Sequence, residues 1–181
     1  LKGGVVPKNP QQAGKWLRKA AALGNMYAQN LLGLMFFNRV GFLVNYEEAF
    51  EHFKSAAEKG LAEAQFNLSL MYFGGISVPQ DPEEGYSWIH RAAGFNNSDA
   101  QYLLGSFYLN SEIGHQSTST GVRYLFSAAN LGQIKAQSLL GLLYLEGKFV
   151  PQDLNKSFKW LKKAAKQGDA KASELLKTLE S

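Results

Sequence analysis

The sequence predicts an all-α fold, an α-solenoid of antiparallel helix pairs built from 36-residue repeats. Three observations predict it. The first is the period: Ala28, Ala64, Ala100, Ala136 and Ala172 stand 36 residues apart, as do Leu32, Leu68, Leu104, Leu140 and Leu176, and the Ala-Ala pairs beginning at Ala20, Ala56, Ala92, Ala128 and Ala164. A step of roughly 20 to 50 residues kept across many columns marks stacked repeats. The second is the stripe within residues 134–169, where Ala136, Leu139, Leu140, Leu143 and Tyr144 fall at i, i+3, i+4, i+7 and i+8 on one face of a helix, here called helix A. The third is punctuation. Gly147 and Pro151 break that pattern, and Asp153 can cap a second helix, B, over about 154–167, with Phe158, Leu161 and Ala165 on one face. Gly168 then stops helix B at the position that needs a left-handed backbone.

Taken in order, residues 1–25 form a partial repeat with helix B only, its apolar face being Trp16, Leu17, Ala20 and Ala21. Its own helix A is missing and the chain starts at Leu1, so it reads as an excised piece of a longer protein. Complete repeats follow at 26–61, 62–97, 98–133 and 134–169, and residues 170–181 add a capping helix, with Ala172, Leu175, Leu176 and Leu179 on one face and Lys171, Glu174, Lys177 and Glu180 over the rest. Residues 1–181 thus form a single array. Asn9-Pro10 and Asp81-Pro82 place a capping side chain before a proline at the first helical position. Asn45 with Glu48, and Asp81 with Glu84, have capping-box spacing. Gly24, Gly60, Gly132 and Gly168 end the B helices, with Asn96 in the equivalent slot of the remaining copy. A ring column (Trp16, Trp88, Tyr124, Trp160, with His52 as a packing variant) reads as core. The column Gln29, Gln65, Gln101 and Gln137 reads as structural amides bonded to backbone between helices.

These residues carry a family resemblance. The pattern A-x-x-x-L-G-x-x-Y, then G-x-x-V-x-x-D, then W-x-x-K-A-A-x-x-G, resembles the Sel1-like repeat, and stands here as Ala136, Leu140, Gly141, Tyr144; Gly147, Val150, Asp153; Trp160, Lys163, Ala164, Ala165 and Gly168. It covers essentially the whole chain. The resemblance implies a tetratricopeptide-like array, a right-handed superhelix with a longer loop between the helices of each pair. Departures are local: Ser69 replaces the small glycine of helix A, residues 110–117 lack the loop signature, and the chain has no cysteine, unlike the cysteine-rich branch of the family.

Composition excludes several classes. With 45% hydrophobic residues the 181-residue chain can bury a core, but no run of 18 apolar residues exists to span a membrane. The absence of cysteine excludes disulfides and thiolate chemistry and is compatible with a reducing compartment, though the localisation stays unassigned. Residues 1–24 carry Lys2, Lys8, Lys15, Arg18 and Lys19 and no acid, residues 154–181 carry seven lysines against Asp169, Glu174 and Glu180, and the middle is net acidic, for a total of +4. The basic residues of both ends read as the solvated face of helix B, and no nucleic-acid motif is present. No catalytic, cofactor-binding or metal-binding constellation is predicted: His90 shares a surface column with Arg18, Lys54 and Lys162, His115 takes the loop slot of Pro7, Pro79 and Pro151, and none has a second ligand at metal spacing. Glu47, Glu48, Glu51, Glu83 and Glu84 read as first-turn acids placed by the helix dipole. Asn67, Asn96 and Asn155 begin glycosylation tripeptides that occur easily by chance.

The expected function is a non-enzymatic scaffold that holds a peptide or partner protein in the concave groove lined by the A helices, as the family resemblance implies. The alternative is a binder of small or cell-wall ligands, or a hydrolase-like activity, as linked to some cysteine-rich relatives. Candidate protein-binding residues come from columns facing that groove. Asn30, Phe66, Tyr102, Ser138 and Glu174 form one; Tyr27, Glu63, Asp99, Lys135 and Lys171 a second; Leu34, Leu70, Ser106 and Leu142 a third. From these, Tyr27, Asn30, Phe66, Asp99, Tyr102, Ser106, Lys135 and Ser138 are the predicted contacts, with Phe66 and Tyr102 as anchors. Self-association through the exposed ends of the array is also expected, chiefly at Trp16.

Overall fold

The computed structural model describes residues 9–110 and 117–180. Ten helices run through them: α1 (Pro10–Ala22), α2 (Met26–Phe37), α3 (Tyr46–Glu58), α4 (Ala62–Gly74), α5 (Pro82–Gly94), α6 (Ser98–Asn110), α7 (Thr118–Asn130), α8 (Ile134–Glu146), α9 (Leu154–Lys166) and α10 (Ala170–Glu180). No strand occurs among the described residues. Even-numbered helices are of type A and odd-numbered ones of type B. Residues 111–116, including His115, lie outside the described residues.

Each helix starts and stops where local chemistry directs. Asn9, Asn45, Asp81 and Asp153 accept amide bonds from Gln12, Glu48, Glu84 and Lys156 at 2.9–3.1 Å, removing one orphan donor at each N-terminus. The capping-box spacing of Asn45 and Asp81 delivers only this half. Their own amides donate instead to Phe36 and Tyr72 carbonyls of the preceding A helix, at 3.3 and 3.0 Å, so the acids at Glu48 and Glu84 have no N-cap amide to take. Asp153 does the same with Tyr144, at 3.0 Å. At the other ends, Gly24, Gly60, Gly132 and Gly168 have φ of 86–94°, and Asn96 takes the same region at 61°.

The helices fall into two compact units, Leu1–Ala92 and Ala93–Ser181. In the first, α1 to α4 pack in sequence, and the core joins Phe36, Phe50, Phe53, Leu68, Met71 and Trp88. In the second, α6 to α10 pack in sequence around Leu109, Leu125, Leu140, Leu143, Tyr144 and Trp160, with Leu161 and Ala164 of α9 clustered with Ala172 of α10. Small residues set the spacing within pairs. A Cβ on Gly105 would meet Leu125 Cγ at 2.8 Å and the Gly121 carbonyl oxygen at 3.1 Å, so α6 and α7 touch backbone to backbone. Ser69, which stands where α2, α6 and α8 have glycine, is fully buried and donates its hydroxyl to the Phe66 carbonyl of its own helix at 2.7 Å. In the ring column Trp88 and Trp160 are 7% and 6% exposed, Tyr124 and His52 are half-buried, and Trp16 is 64% exposed.

Adjacent repeats are tied by the glutamine column. Gln65, Gln101 and Gln137 donate Nε2 to the carbonyls of Ala57, Ala93 and Ala129 in the preceding B helix, at 2.9–3.1 Å. The amide oxygens fare differently. Lys59 donates to Gln29 Oε1 and to the Gly24 carbonyl, both at 3.0 Å, and Gln167 donates to Gln137 Oε1 at 2.8 Å and to the Gly132 carbonyl at 3.4 Å. Gln101 Oε1 is buried without a partner among the described residues, and the residue 30 positions on from it is Leu131, where Lys59 and Gln167 stand in their repeats.

Candidate protein-binding face

In the second unit the A helices present two open hollows that share a floor. One, of about 230 Å³, is lined by Tyr102, Lys135, Ser138, Leu139, Leu142, Asp169 and Lys171. The other, of about 380 Å³, continues from Tyr102, Leu139 and Leu142 to Ser106, Leu109, Asn110, Leu143, Glu146, Lys148 and Phe149. Together they make one shallow groove beside α8, apolar along the middle and polar at both ends. The groove exists because residues four apart on an A helix share a face: Tyr102 and Ser106 on α6, Ser138 and Leu142 on α8. Ser106 donates its hydroxyl back to the Tyr102 carbonyl at 3.1 Å, leaving the aromatic ring as the main group offered there. The Lys148 ammonium sits 5.1 Å from the Phe149 ring centroid at the far end.

The other predicted contacts are placed as follows. Asp99, on the first turn of α6, is exposed and accepts from Gln133 Nε2 at 3.2 Å. Ser138 is buried and its hydroxyl donates to Asp169 at 3.4 Å. In the first unit, Tyr27 is exposed on the first turn of α2 and Phe66 is half-buried on α4. Asn30 is only 8% exposed and its Oδ1 accepts from Asn67 Nδ2 at 3.0 Å, a polar rung between two A helices. None of these three lines the hollow of about 180 Å³ that Leu34, Phe37, Asn38, Phe53, Asn67, Leu70, Met71 and Ile76 form in that unit.

Leu139, Glu146, Lys148 and Phe149 were not among the predicted contacts. Leu139 was legible in principle, since it lies three residues before Leu142 on the same face. Phe149 was not: it sits in a loop at φ 67°, a left-handed conformation that aromatic residues rarely take, and the residue two repeats, or 72 positions, before it is Ser77.

Titratable groups elsewhere serve packing. Burial lowers the His52 pKa from 6.5, with Glu48 opposing and Arg18 reinforcing the shift; its ring stacks on Phe36 at 5.8 Å. Backbone and side-chain bonds from Lys156 hold Asp153 below the ordinary carboxylate value. Among the described residues no group of three His, Cys, Asp or Glu side chains is placed to hold a metal ion, and no helix is long and apolar enough to cross a membrane.

The family model of the Sel1 repeat matches residues 1–25, 27–61, 62–93, 98–133 and 134–169. A Sel1 repeat protein from Oxalobacter formigenes is similar over 96% of this chain and 50% of its own, with 35% identity and a TM-score of 0.89. A protective antigen present in uropathogenic Escherichia coli strains, displaying an SLR fold, is similar over 94% of this chain and 36% of its own, with 29% identity and a TM-score of 0.82. The chain therefore spans half the length of the first of these proteins and 36% of the second. No curated protein matches the chain.

Proposed function

Because the chain belongs to the Sel1 repeat family, whose arrays are generally protein-interaction scaffolds, we propose that it holds an extended segment of a partner protein along the A-helix groove beside α8. The observation that carries this reading is the groove itself: apolar side chains on rigid helices, open to solvent and bordered by charge. Such a surface suits recognition of a polypeptide, where apolar pockets supply affinity and flanking charges supply register. Tyr102 is the central anchor, Leu139 and Leu142 form the floor, and Lys135 with Lys171 mark one end. The scaffold reading also fits what the hollows lack. They are shallow and open, without the convergent polar groups of an enclosed small-molecule site.

The test is site-specific photocrosslinking in a lysate of the source organism. A benzophenone side chain at Tyr102 is compared with one at Lys159, which is exposed on α9. Adducts are expected at Tyr102 and not at Lys159, and Leu142→Asp should abolish them. Equal labelling at both positions, or none at Tyr102, overturns the proposal.

A further inference from the structure

Charge is uneven along this groove. Where α8 begins, Lys135 and Lys171 are both exposed, and among the described residues neither takes part in an ion pair. The carboxylate beside them, Asp169, is already engaged: its Oδ1 accepts from the Ala172 amide at 2.7 Å and from the Ser138 hydroxyl at 3.4 Å. A carboxylate that caps a helix is held by that helix and faces its positive end, so the two ammonium groups are left with the local excess. At the opposite end Glu146 and Lys148 offset one another.

Resting on the protein-binding reading above, we propose that the segment taken by the groove is acidic at one end. A glutamate or aspartate side chain lies between Lys135 and Lys171, and a bulky apolar side chain follows it onto Leu139 and Leu142. Helix geometry sets the spacing. Lys135 and Leu142 are seven residues apart, about 10 Å at about 1.5 Å per residue, and an extended chain covers that in about three residues. From Lys135 to Glu146 is eleven residues, about 16 Å, so about five extended residues fill the groove. Exposed ion pairs contribute modestly. The lysines therefore fix which way the segment lies, while the apolar contact holds it.

The test pans a phage-displayed library of random heptapeptides against the full chain, the Lys135→Glu/Lys171→Glu variant and Leu142→Asp. Ser106→Arg, which fills the groove from a half-buried position, is a second groove-blocking variant, and circular dichroism checks that each folds. The unaltered chain should enrich peptides with Asp or Glu about three positions from Leu, Ile, Phe or Met. A synthetic peptide of the enriched sequence should bind the charge-reversal variant about tenfold more weakly, and that variant should enrich Lys or Arg in place of the acid. Peptides that ignore charge and survive the reversal, but are lost in Leu142→Asp and Ser106→Arg, overturn the acidic segment and leave the groove reading standing. Peptides that bind all the proteins alike, or no enrichment at all, overturn both.

Discussion

Leu131→Lys should stabilise the protein, although Leu131 is not among the predicted contacts. Leu131 closes α7 and is 51% exposed. The equivalent residues closing α3 and α9, Lys59 and Gln167, each bond to a glutamine amide oxygen of the preceding A helix, whereas Gln101 Oε1 is buried with no partner among the described residues. A lysine at 131 places its ammonium where Lys59 has it, within reach of Gln101 Oε1. A charge-assisted bond to an unpaired buried acceptor is worth about 1.5–3 kcal/mol. A cation at the end of α7, whose last turn has no basic residue, adds about 0.3–1 kcal/mol. Against this stands the extra rotamer entropy of lysine over leucine, about 1 kcal/mol. The lysine stem covers most of the surface the leucine covers now. The net gain is therefore about 1–3 kcal/mol, or at least about 2–4 °C in Tm for a chain of this size. The assay is a double-mutant cycle by thermal and urea unfolding, with Leu131→Lys, Gln101→Leu and the pair. A coupling of about 1.5–3 kcal/mol between the positions is expected. Zero coupling, or a lowered Tm for Leu131→Lys alone, refutes the reasoning.

Three further outcomes are expected. Trp160→Ala should cost about 3–5 kcal/mol, since the ring is 6% exposed, meets Phe126 edge-on at 6.0 Å and lies under the Lys163 ammonium at 4.3 Å; urea unfolding that matches the parent would place the ring outside the core. Burial, the main cause, lowers the His52 pKa from 6.5, so the unfolded chain binds the extra proton first; stability is present above that value and is lost as pH falls through the folded pKa. Melting temperature should drop from about pH 7 to about pH 5 less steeply in His52→Phe than in the parent, and identical slopes would clear His52 of the effect. Finally, the exposed Trp16 ring, with the Lys19 ammonium 4.7 Å from its centroid, should drive concentration-dependent self-association that Trp16→Lys removes; light scattering that reports one constant monomer mass contradicts this.

What the sequence determined alone was whatever depends on neighbours within a turn or two. The repeat period, the N-cap residues Asn9, Asn45, Asp81 and Asp153, and the left-handed stops at Gly24, Gly60, Asn96, Gly132 and Gly168 all follow from local backbone preferences, and the structure places each of them. The glutamine column was half legible: a polar residue repeated in step among apolar columns points to a structural bond, and Nε2 makes one to backbone at Gln65, Gln101 and Gln137. Only the tertiary structure decided the rest. The amides of Asn45 and Asp81 bond to a carbonyl nine residues back rather than complete a capping box, because the preceding helix turns an open carbonyl toward them. Asn30 shares a column with Tyr102, yet it is buried and bonded to Asn67 while the Tyr102 ring lines an open groove. A column states only which way a residue faces on its own helix. What it meets there depends on a neighbour some thirty residues away, and packing brings that neighbour close without leaving a mark in local sequence.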